Sequence, residues 1–303
     1  MDLNNTFKLG LGGCPVGGHG WGNTSKKDLN VMTYDALDRG VNFIDTADVY
    51  GLGQSELIIG ENLKNFDRDR IFLASKFGVK VENKTIYDNS EEWFWKSLHG
   101  SLKRLNTDYL DLYQIHYWDE KVKFEDIFAY FEKAIDQGKI KYMGVTNVER
   151  KDLPDELPEF LKTYSFKFNL LDQENKKNIM PFLEEKSMFF LSWGSLCQGL
   201  LAGKIKKSTT FSEKDRRNRA EYKNFHSSRF LSNLEKVEKL KKISNKMNIP
   251  ISSLSLNWII NSIENSISLF GAKTKLQLEN NISCGTYKIE NQYLKKINKI
   301  FNV

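Results

Sequence analysis

The chain alternates between short apolar runs, rich in β-branched and aromatic residues, and longer stretches whose apolar positions recur with helical spacing. The short runs predict strands and the longer stretches predict helices. The predicted strands are residues 7–14, 41–47, 71–77, 109–116, 140–146, 165–171, 188–195 and 266–271. The predicted helices are residues 27–39, 55–64, 91–105, 124–137, 157–163, 179–185 and 251–261.

Strands that alternate with helices pair in parallel, and apolar runs without strict alternation indicate sheets covered on both faces. A doubly wound sheet would need a glycine fingerprint between its first strand and helix. The glycines at 10–13 instead lie inside the first predicted strand, and Pro15, His19 and Trp21 follow them. The 303 residues exceed the ~250 of a typical (β/α)8 barrel. The sequence therefore predicts an α/β fold, a (β/α)8 TIM barrel.

No Pro/Gly/Ser-rich linker, low-complexity tract or abrupt change of composition divides the chain. We therefore expect a single domain over residues 1–303. Residues 204–230 are charged and poor in apolar side chains, which predicts a long loop, and loops of this length in a compact domain are usually functional or disordered. Residues 283–303 are expected to form a C-terminal helix and tail.

The net charge of +6 does not predict nucleic-acid binding, because the lysines are spread over helical faces with acidic neighbours, as in residues 234–242. A mildly basic surface favours anionic small molecules, including a dinucleotide phosphate. The N-terminus lacks the features of a signal peptide, and no apolar run reaches the ~20 residues of a membrane span. Cys14, Cys197 and Cys284 show no CxxC spacing. We expect a cytoplasmic protein with no metal site and no membrane span. The sequence does not indicate its oligomeric state.

Three predicted strands end in a polar side chain, at Asp45, Lys76 and His116, and Tyr50 follows the first of them in a glycine-flanked loop. The C-terminal strand ends of a barrel meet at one rim, where its active site lies. Carbonyl reduction needs a hydride donor and an acid. Tyr50 can serve as the acid if Lys76 lowers its pKa, with Asp45 orienting the ammonium and His116 bonding the substrate oxygen.

Longer motifs surround these residues, at 43–51, 105–116 and 138–147. They resemble, in order, three motifs of the aldo-keto reductase family, and the similarity extends from about Leu9 to about Ile282. The resemblance implies that Tyr50 is the general acid and that Asp45 and Lys76 tune it. It also implies that His116 orients the substrate.

The resemblance further implies NADPH as cofactor, bound without a Rossmann fold. Thr146 and Asn147 match the pair that holds the carboxamide, Trp193 the ring that stacks on the nicotinamide, and Lys273 the residue beside the 2′-phosphate. The residues that the resemblance assigns to the cofactor are Thr146, Asn147, Ser165, Trp193, Gly194, Ser195, Leu196, Gln198, Gly199, Lys204, Arg217, Gly271, Lys273, Gln277, Asn280 and Asn281.

Three departures from the family pattern indicate a divergent member. Ser165 stands where the family usually has Gln, so its contact with the carboxamide would run through water. The segment 193–195 replaces the common Tyr-Ser-Pro, and Asn280 replaces a frequent acidic residue. Loops set selectivity in barrels, and we expect Trp21, Tyr87 and Trp118 to ring the mouth and bind substrate.

The leading hypothesis is therefore NADPH-dependent reduction of an aldehyde or ketone, with a polar cyclic ketone or keto-sugar as the expected small-molecule substrate. One alternative is a cofactor-binding regulatory or scaffold subunit resembling potassium-channel β-subunits, and another is a dehydratase-like or sugar-modifying activity at the same site. The complete set of Asp45, Tyr50, Lys76 and His116 favours the enzyme, because a binding module has no need for all four.

Overall fold

Eight parallel strands form a closed barrel in the computed structural model, which describes residues 2–22, 24–174, 176–286 and 288–303. The strands are β1 (Leu9–Gly12), β2 (Phe43–Asp45), β3 (Phe72–Phe77), β4 (Leu110–Ile115), β5 (Ile140–Thr146), β6 (Leu161–Lys167), β7 (Phe189–Trp193) and β8 (Ser266–Phe270). Each strand pairs with the next along the chain, and β8 pairs with β1. The prediction of a (β/α)8 TIM barrel is confirmed.

The helices that surround the barrel begin and end at recognisable residues. They are α1 (Lys26–Asp38), α2 (Gln54–Leu63), α3 (Glu91–Leu105), α4 (Phe124–Asp136), α5 (Lys176–Glu185), α6 (Ser227–Met247), α7 (Ile251–Ser262), α8 (Lys275–Ile282) and α9 (Asn291–Phe301). Ser25, Ser90 and Thr274 cap α1, α3 and α8, because each side-chain oxygen accepts a bond from a first-turn backbone N–H. Such caps satisfy donors that the helix itself leaves unpaired.

Two apolar layers give the barrel a closed floor and an open, polar rim. One layer lies between strands and helices, and the other fills the barrel interior, where Phe43 stacks on Phe72 with centroids 5.1 Å apart. Leu3, in an N-terminal 3-10 turn, is buried in the interior layer. Phe43 begins β2 and Asp45 ends it, so the strand runs from the apolar floor to the polar rim.

The segment between β5 and β6 corrects two sequence predictions. Residues 147–160, all of them described, contain only a 3-10 turn at Arg150–Asp152, and the helix expected at 157–163 is absent. Pro154 and Pro158 lack backbone N–H groups and disfavour helical conformation in the residues before them. The strand predicted at 165–171 begins earlier, at Leu161, and ends at Lys167.

The helices α6 and α8 and an antiparallel hairpin lie outside the helices and strands predicted from the sequence. The longest helix, α6, extends well beyond the amphipathic stretch 234–242 that the sequence shows. An antiparallel hairpin, Val79–Val81 with Thr85–Tyr87, follows β3 in a region expected to be a loop. Between Gly203 and α6, by contrast, the chain forms only short 3-10 turns, at Arg216–Asn218 and Lys223–Phe225.

The described part of the chain contains no candidate membrane span and no candidate metal centre. None of its helices combines the length and the apolar character needed to cross a bilayer. No three of its His, Cys, Asp and Glu side chains form a group that could hold a metal ion.

Candidate active site

The C-terminal ends of β2, β3 and β4 form a buried polar corner at the rim. Register pairs Asp45 with Ala74 and Lys76 with Gln114, which brings the three strand ends side by side. Lys76 Nζ donates to Asp45 Oδ2 at 2.5 Å and to the Thr46 carbonyl at 2.9 Å. Lys76 is 2% exposed and Asp45 is 3% exposed. A buried ion pair is tolerated only when its remaining polar atoms are satisfied, as they are here.

Gln114 completes this corner and is a residue that the sequence analysis does not identify. Its Nε2 donates to Asp45 Oδ1 at 2.8 Å, and its Oε1 accepts from Thr146 Oγ1 at 3.3 Å. Gln114 therefore holds the carboxylate of Asp45 from the side opposite Lys76. The available signal was its place two residues before His116, because alternate residues of a strand share a face.

Tyr50 reaches the corner from the turn that follows β2. Its hydroxyl lies 3.4 Å from Lys76 Nζ. The turn depends on Gly51, whose φ is +61° and where a Cβ would lie 2.3 Å from the Gly17 carbonyl oxygen. No other residue type fits this approach, so Gly51 holds the Tyr50 loop against the loop after β1.

The pKa of Tyr50 differs from the sequence expectation. Burial raises the pKa of Tyr50 well above its usual value of 10, and Cys14 and Asp45 raise it further. The sequence analysis expects Lys76 to lower this pKa. Lys76 is paired with Asp45 at 2.5 Å, and its ammonium does not outweigh the effect of burial on the pKa of Tyr50. Tyr50 is therefore a protonated hydroxyl at physiological pH.

His116 follows β4 and faces Tyr50 edge-on, with ring centroids 5.5 Å apart. Burial, Lys76 and Arg216 together hold the pKa of His116 well below 6.5, so its imidazole is neutral. Its Nδ1 is buried without a hydrogen-bond partner among the residues that the structure describes. A buried ring nitrogen without a partner is available to a ligand.

A cavity of about 850 Å³ opens beside this corner. Asp45, Tyr50, Lys76 and His116 all line it. The cavity is also lined by every residue that the resemblance assigns to the cofactor, namely Thr146, Asn147, Ser165, Trp193, Gly194, Ser195, Leu196, Gln198, Gly199, Lys204, Arg217, Gly271, Lys273, Gln277, Asn280 and Asn281. The structure thus brings both predicted groups to one cavity.

Asn147, Trp193 and Ser165 are fixed by hydrogen bonds on the wall next to His116. Trp193 Nε1 donates to Asn147 Oδ1 at 3.1 Å, and Asn147 Nδ2 donates to the His116 carbonyl at 3.2 Å. Ser165 is 1% exposed and its hydroxyl donates to the Leu191 carbonyl at 2.9 Å. The serine hydroxyl is therefore engaged by β7, as its short side chain requires.

The wall formed by residues 194–204 and the start of α8 has the character of a phosphate site. Gly199 has φ of +93°, and nothing lies within 4 Å of the position that a Cβ would take, so its backbone faces open space. Lys204 and Lys273 line this wall and make no ion pair with any described residue. Unpaired cations beside bare backbone fit the phosphates of a dinucleotide.

Lys273 and Arg217 are held differently from one another on this wall. Lys273 Nζ donates to the Trp21 carbonyl, and burial, followed by the charge of Arg217, lowers the pKa of Lys273. Arg217 is paired with Asp215 at 2.6 Å. Lys273 therefore carries the charge that a phosphate can neutralise directly, whereas Arg217 already has a carboxylate.

The three predicted substrate residues are not brought together. Trp21 lines the cavity, but Tyr87 and Trp118 do not. Tyr87 stacks on Tyr117 at 4.9 Å, and Trp118 donates from Nε1 to the Val122 carbonyl at 2.8 Å. The wall also includes Tyr117, the neighbour of Trp118, and three residues that the sequence analysis does not identify: Cys14, Arg216 and Tyr222.

Comparisons with known proteins agree with this geometry. A model of the Aldo/keto reductase family matches residues 8–302. Aldo-keto reductase YhdN of Bacillus subtilis (strain 168) is 33% identical over 97% of this chain and 89% of its own length. Aldo-keto reductase yakc [NADP(+)] of Schizosaccharomyces pombe (strain 972 / ATCC 24843) is 30% identical, over 96% of this chain and 90% of its own.

A solved structure extends the likeness from sequence to fold. The glycerol dehydrogenase AKR11B4 from Gluconobacter oxydans superposes with a TM-score of 0.86 at 28% identity, covering 97% of this chain and 91% of that one. The chain therefore belongs to the aldo-keto reductase family and is an NAD(P)H-dependent oxidoreductase.

Proposed function

We propose that this protein uses NADPH to reduce the carbonyl group of an aldehyde or ketone, with Tyr50 as the general acid. The observation that carries the proposal is the position of the Tyr50 hydroxyl, 3.4 Å from a buried Lys76 and on the wall of the cavity. The raised pKa of Tyr50 keeps this hydroxyl protonated, which is the form that a proton donor must have.

The chain's own residues divide the work of moving this proton. Tyr50 donates the proton to the carbonyl oxygen, and Lys76 lies where it stabilises the phenolate that remains. Asp45 and the Thr46 carbonyl hold the ammonium in place. Neutral His116 can bond the same carbonyl oxygen and so orient the substrate. The cofactor, when bound, supplies the hydride.

The residues at the phosphate wall fit NADPH. Asn147 and Trp193 would hold the nicotinamide end, and Lys273 the 2′-phosphate. The name of the Schizosaccharomyces pombe relative, with NADP(+) in it, supports the phosphorylated dinucleotide for this chain. The family assignment and the assembled corner support an enzyme over the regulatory or scaffold alternative. We place the protein in the cytoplasm, because its three cysteines are free.

The substrate is proposed to be a polar carbonyl compound larger than a short aliphatic aldehyde, with a cyclic ketone or keto-sugar among the candidates. Trp21, Tyr117 and Tyr222 give the cavity aromatic walls beside its polar corner. A small aldehyde would leave these walls wet and gain little from them.

The test is a panel of carbonyl compounds followed at the NADPH absorbance band, with NADH run in parallel. We expect turnover of polar cyclic ketones to exceed that of propanal in kcat/KM. No oxidation of NADPH or NADH with any carbonyl compound, despite measurable cofactor binding, would rule out reduction and return attention to a binding role.

A further inference from the structure

Three arginines follow one another closely in the loop before α6, and they differ in their partners. Arg217 is paired with Asp215 at 2.6 Å and Arg219 with Glu221 at 3.9 Å. Arg216 makes no ion pair with any residue of the described chain, although it lines the catalytic cavity. Of these three arginines, Arg216 is thus the one whose guanidinium has no acidic partner among the described residues.

Arg216 is held in place by residues of the loop after β1. Its backbone N–H donates to the Gly20 carbonyl at 3.0 Å, and its guanidinium carbon lies 5.7 Å from the centroid of Trp21. A Cβ at Gly20 would lie 2.7 Å from Arg216 Cγ, so the glycine leaves room for this side chain. Arg216 is therefore a positioned side chain rather than a free surface cation.

The donors of Arg216 are only partly used. Nη1 lies 3.9 Å from Cys14 Sγ, a hydrogen bond joins the guanidinium to Tyr222, and Nε is buried without a partner among the described residues. An arginine offers five donors in a rigid fork. Leaving a buried charged donor unpaired is unfavourable, so a ligand that bonds it gains affinity.

Arg216 faces the reacting corner rather than the phosphate wall. Cys14, which its Nη1 approaches, follows Gly13, and the Gly13 N–H donates to the Asp45 carbonyl at 2.7 Å. Trp21 separates Arg216 from Lys273, because its ring faces Arg216 while its carbonyl oxygen accepts from Lys273. Arg216 thus contacts the ring of Trp21, and Lys273 contacts its backbone carbonyl.

We infer that Arg216 binds an anionic group of the carbonyl substrate, a carboxylate or a phosphate; this inference rests on the proposed carbonyl reduction. The planar guanidinium suits bidentate recognition of either anion. A carboxylate or phosphate on the substrate would supply the anionic partner that Arg216 does not find among the described residues. Arg216 would then determine which carbonyl compounds the enzyme prefers, without taking part in the proton transfer.

The test compares matched charged and neutral substrates in the full-length enzyme with saturating NADPH. One pair is 4-oxobutanoate and its methyl ester, and the other is glyceraldehyde 3-phosphate and glyceraldehyde. We expect the wild type to have a KM about tenfold lower for at least one anionic member than for its neutral counterpart. The preferred pair tells whether the anion is a carboxylate or a phosphate.

Variants assign the preference to Arg216. Arg216→Gln should raise the KM of the anionic substrate about tenfold or more. The kcat, the KM of the neutral substrate and the Kd of NADPH should each stay within about twofold of the wild-type value. Arg216→Lys should retain part of the preference, because it keeps the charge but loses the fork. Lys214→Gln is the matched control, since it removes an exposed charge from the same loop, and it should match the wild type.

Three results would overturn the inference. The first is a wild type with equal KM for charged and neutral members of each pair. The second is an Arg216→Gln variant that slows reduction of both members equally. The third is a rise of about tenfold in the Kd of NADPH in that variant, which would assign Arg216 to the cofactor. If no carbonyl compound is reduced, calorimetric binding of 4-hydroxybutanoate and glycerol 3-phosphate tests the anion site independently of the reaction. Binding that Arg216→Gln weakens tenfold supports the anion site without the reaction, and no binding of either compound overturns it.

Discussion

The two walls of the catalytic cavity are built in opposite ways. On one side, Asp45, Lys76 and Gln114 come from adjacent strands. Lys76 bonds to Asp45 at 2.5 Å, and Gln114 bonds to Asp45 at 2.8 Å. On the other side, Arg216 and Trp21 come from loops. The Arg216 N–H donates to the Gly20 carbonyl, and the Arg216 guanidinium makes a cation–π contact with the Trp21 ring. The strand side holds the chemistry in fixed positions, and the loop side can change its side chains without disturbing it.

The largest expected effect is on kcat, and it comes from removing the proposed acid, Tyr50, from the strand side. Tyr50→Phe should lower kcat by ~10²–10⁴-fold, the usual loss of a general acid, and leave the Kd of NADPH unchanged. Steady-state rates and fluorescence titration of NADPH measure the two quantities. Tyr34→Phe, on the exposed face of α1, is the control. A Tyr50→Phe enzyme with wild-type kcat would remove Tyr50 from the mechanism.

The second prediction tests whether the strand side depends on its buried ion pair. Asp45→Asn should lower the free energy of unfolding by ~3–5 kcal/mol, because it leaves the Lys76 ammonium buried without a counter-charge. Urea unfolding measures this loss. Adding Lys76→Met to Asp45→Asn should restore part of the stability, since no uncompensated charge then remains. Equal stability of the single and double variants would show that the pair is not coupled.

The third prediction concerns Asp48, a buried carboxylate in the segment between β2 and Tyr50 that makes no ion pair with any described residue. Burial, and then the charge of Glu56, raises the pKa of Asp48 to about 7, from 3.8 in the unfolded chain. The folded state therefore binds the proton more tightly, and this contribution to stability is present below pH 3.8 and is lost as the pH rises to about 7.

Asp48→Asn should remove this dependence. The free energy of unfolding of the wild type should fall relative to that of Asp48→Asn between pH 4 and pH 7, by up to about 4 kcal/mol, and run parallel to it above pH 7. Urea unfolding at several pH values measures both curves. Asp35→Asn, a carboxylate on α1, is the control. Parallel curves over the whole range would refute the raised pKa.

The smallest expected effect concerns Lys273 on the phosphate wall, which belongs to neither of the two sides compared above. Lys273→Met should raise the Kd of NADPH at least tenfold and leave that of NADH unchanged, because a charge-assisted contact contributes ~1.5–3 kcal/mol. The wild type should bind NADPH at least tenfold more tightly than NADH. Lys275→Met, an exposed lysine at the start of α8, is the control. Equal affinities of the wild type for the two cofactors would contradict the assignment.

The sequence predicts the barrel and the members of the polar corner well, and for a common reason. Strand pattern and strand-end position are local properties, and closing the barrel brings strand ends together without further information. The helix expected at 157–163 is wrong because two prolines override a helical pattern of apolar residues. Gln114 escapes prediction because only its bond to Asp45 distinguishes it from a core residue of β4.

The sequence by itself determined the eight-stranded alternation and the strand-end positions of Asp45, Lys76 and His116. The family resemblance suggested the cofactor residues, which the structure brings to one cavity. Only the tertiary structure decided that burial raises the pKa of Tyr50 and that Tyr87 and Trp118 do not line the cavity. It also decided that Arg216 has no acidic partner among the residues that the structure describes. Burial and ion pairing in loops depend on contacts between segments far apart in the chain, such as Arg216 with Gly20, and no local pattern records them.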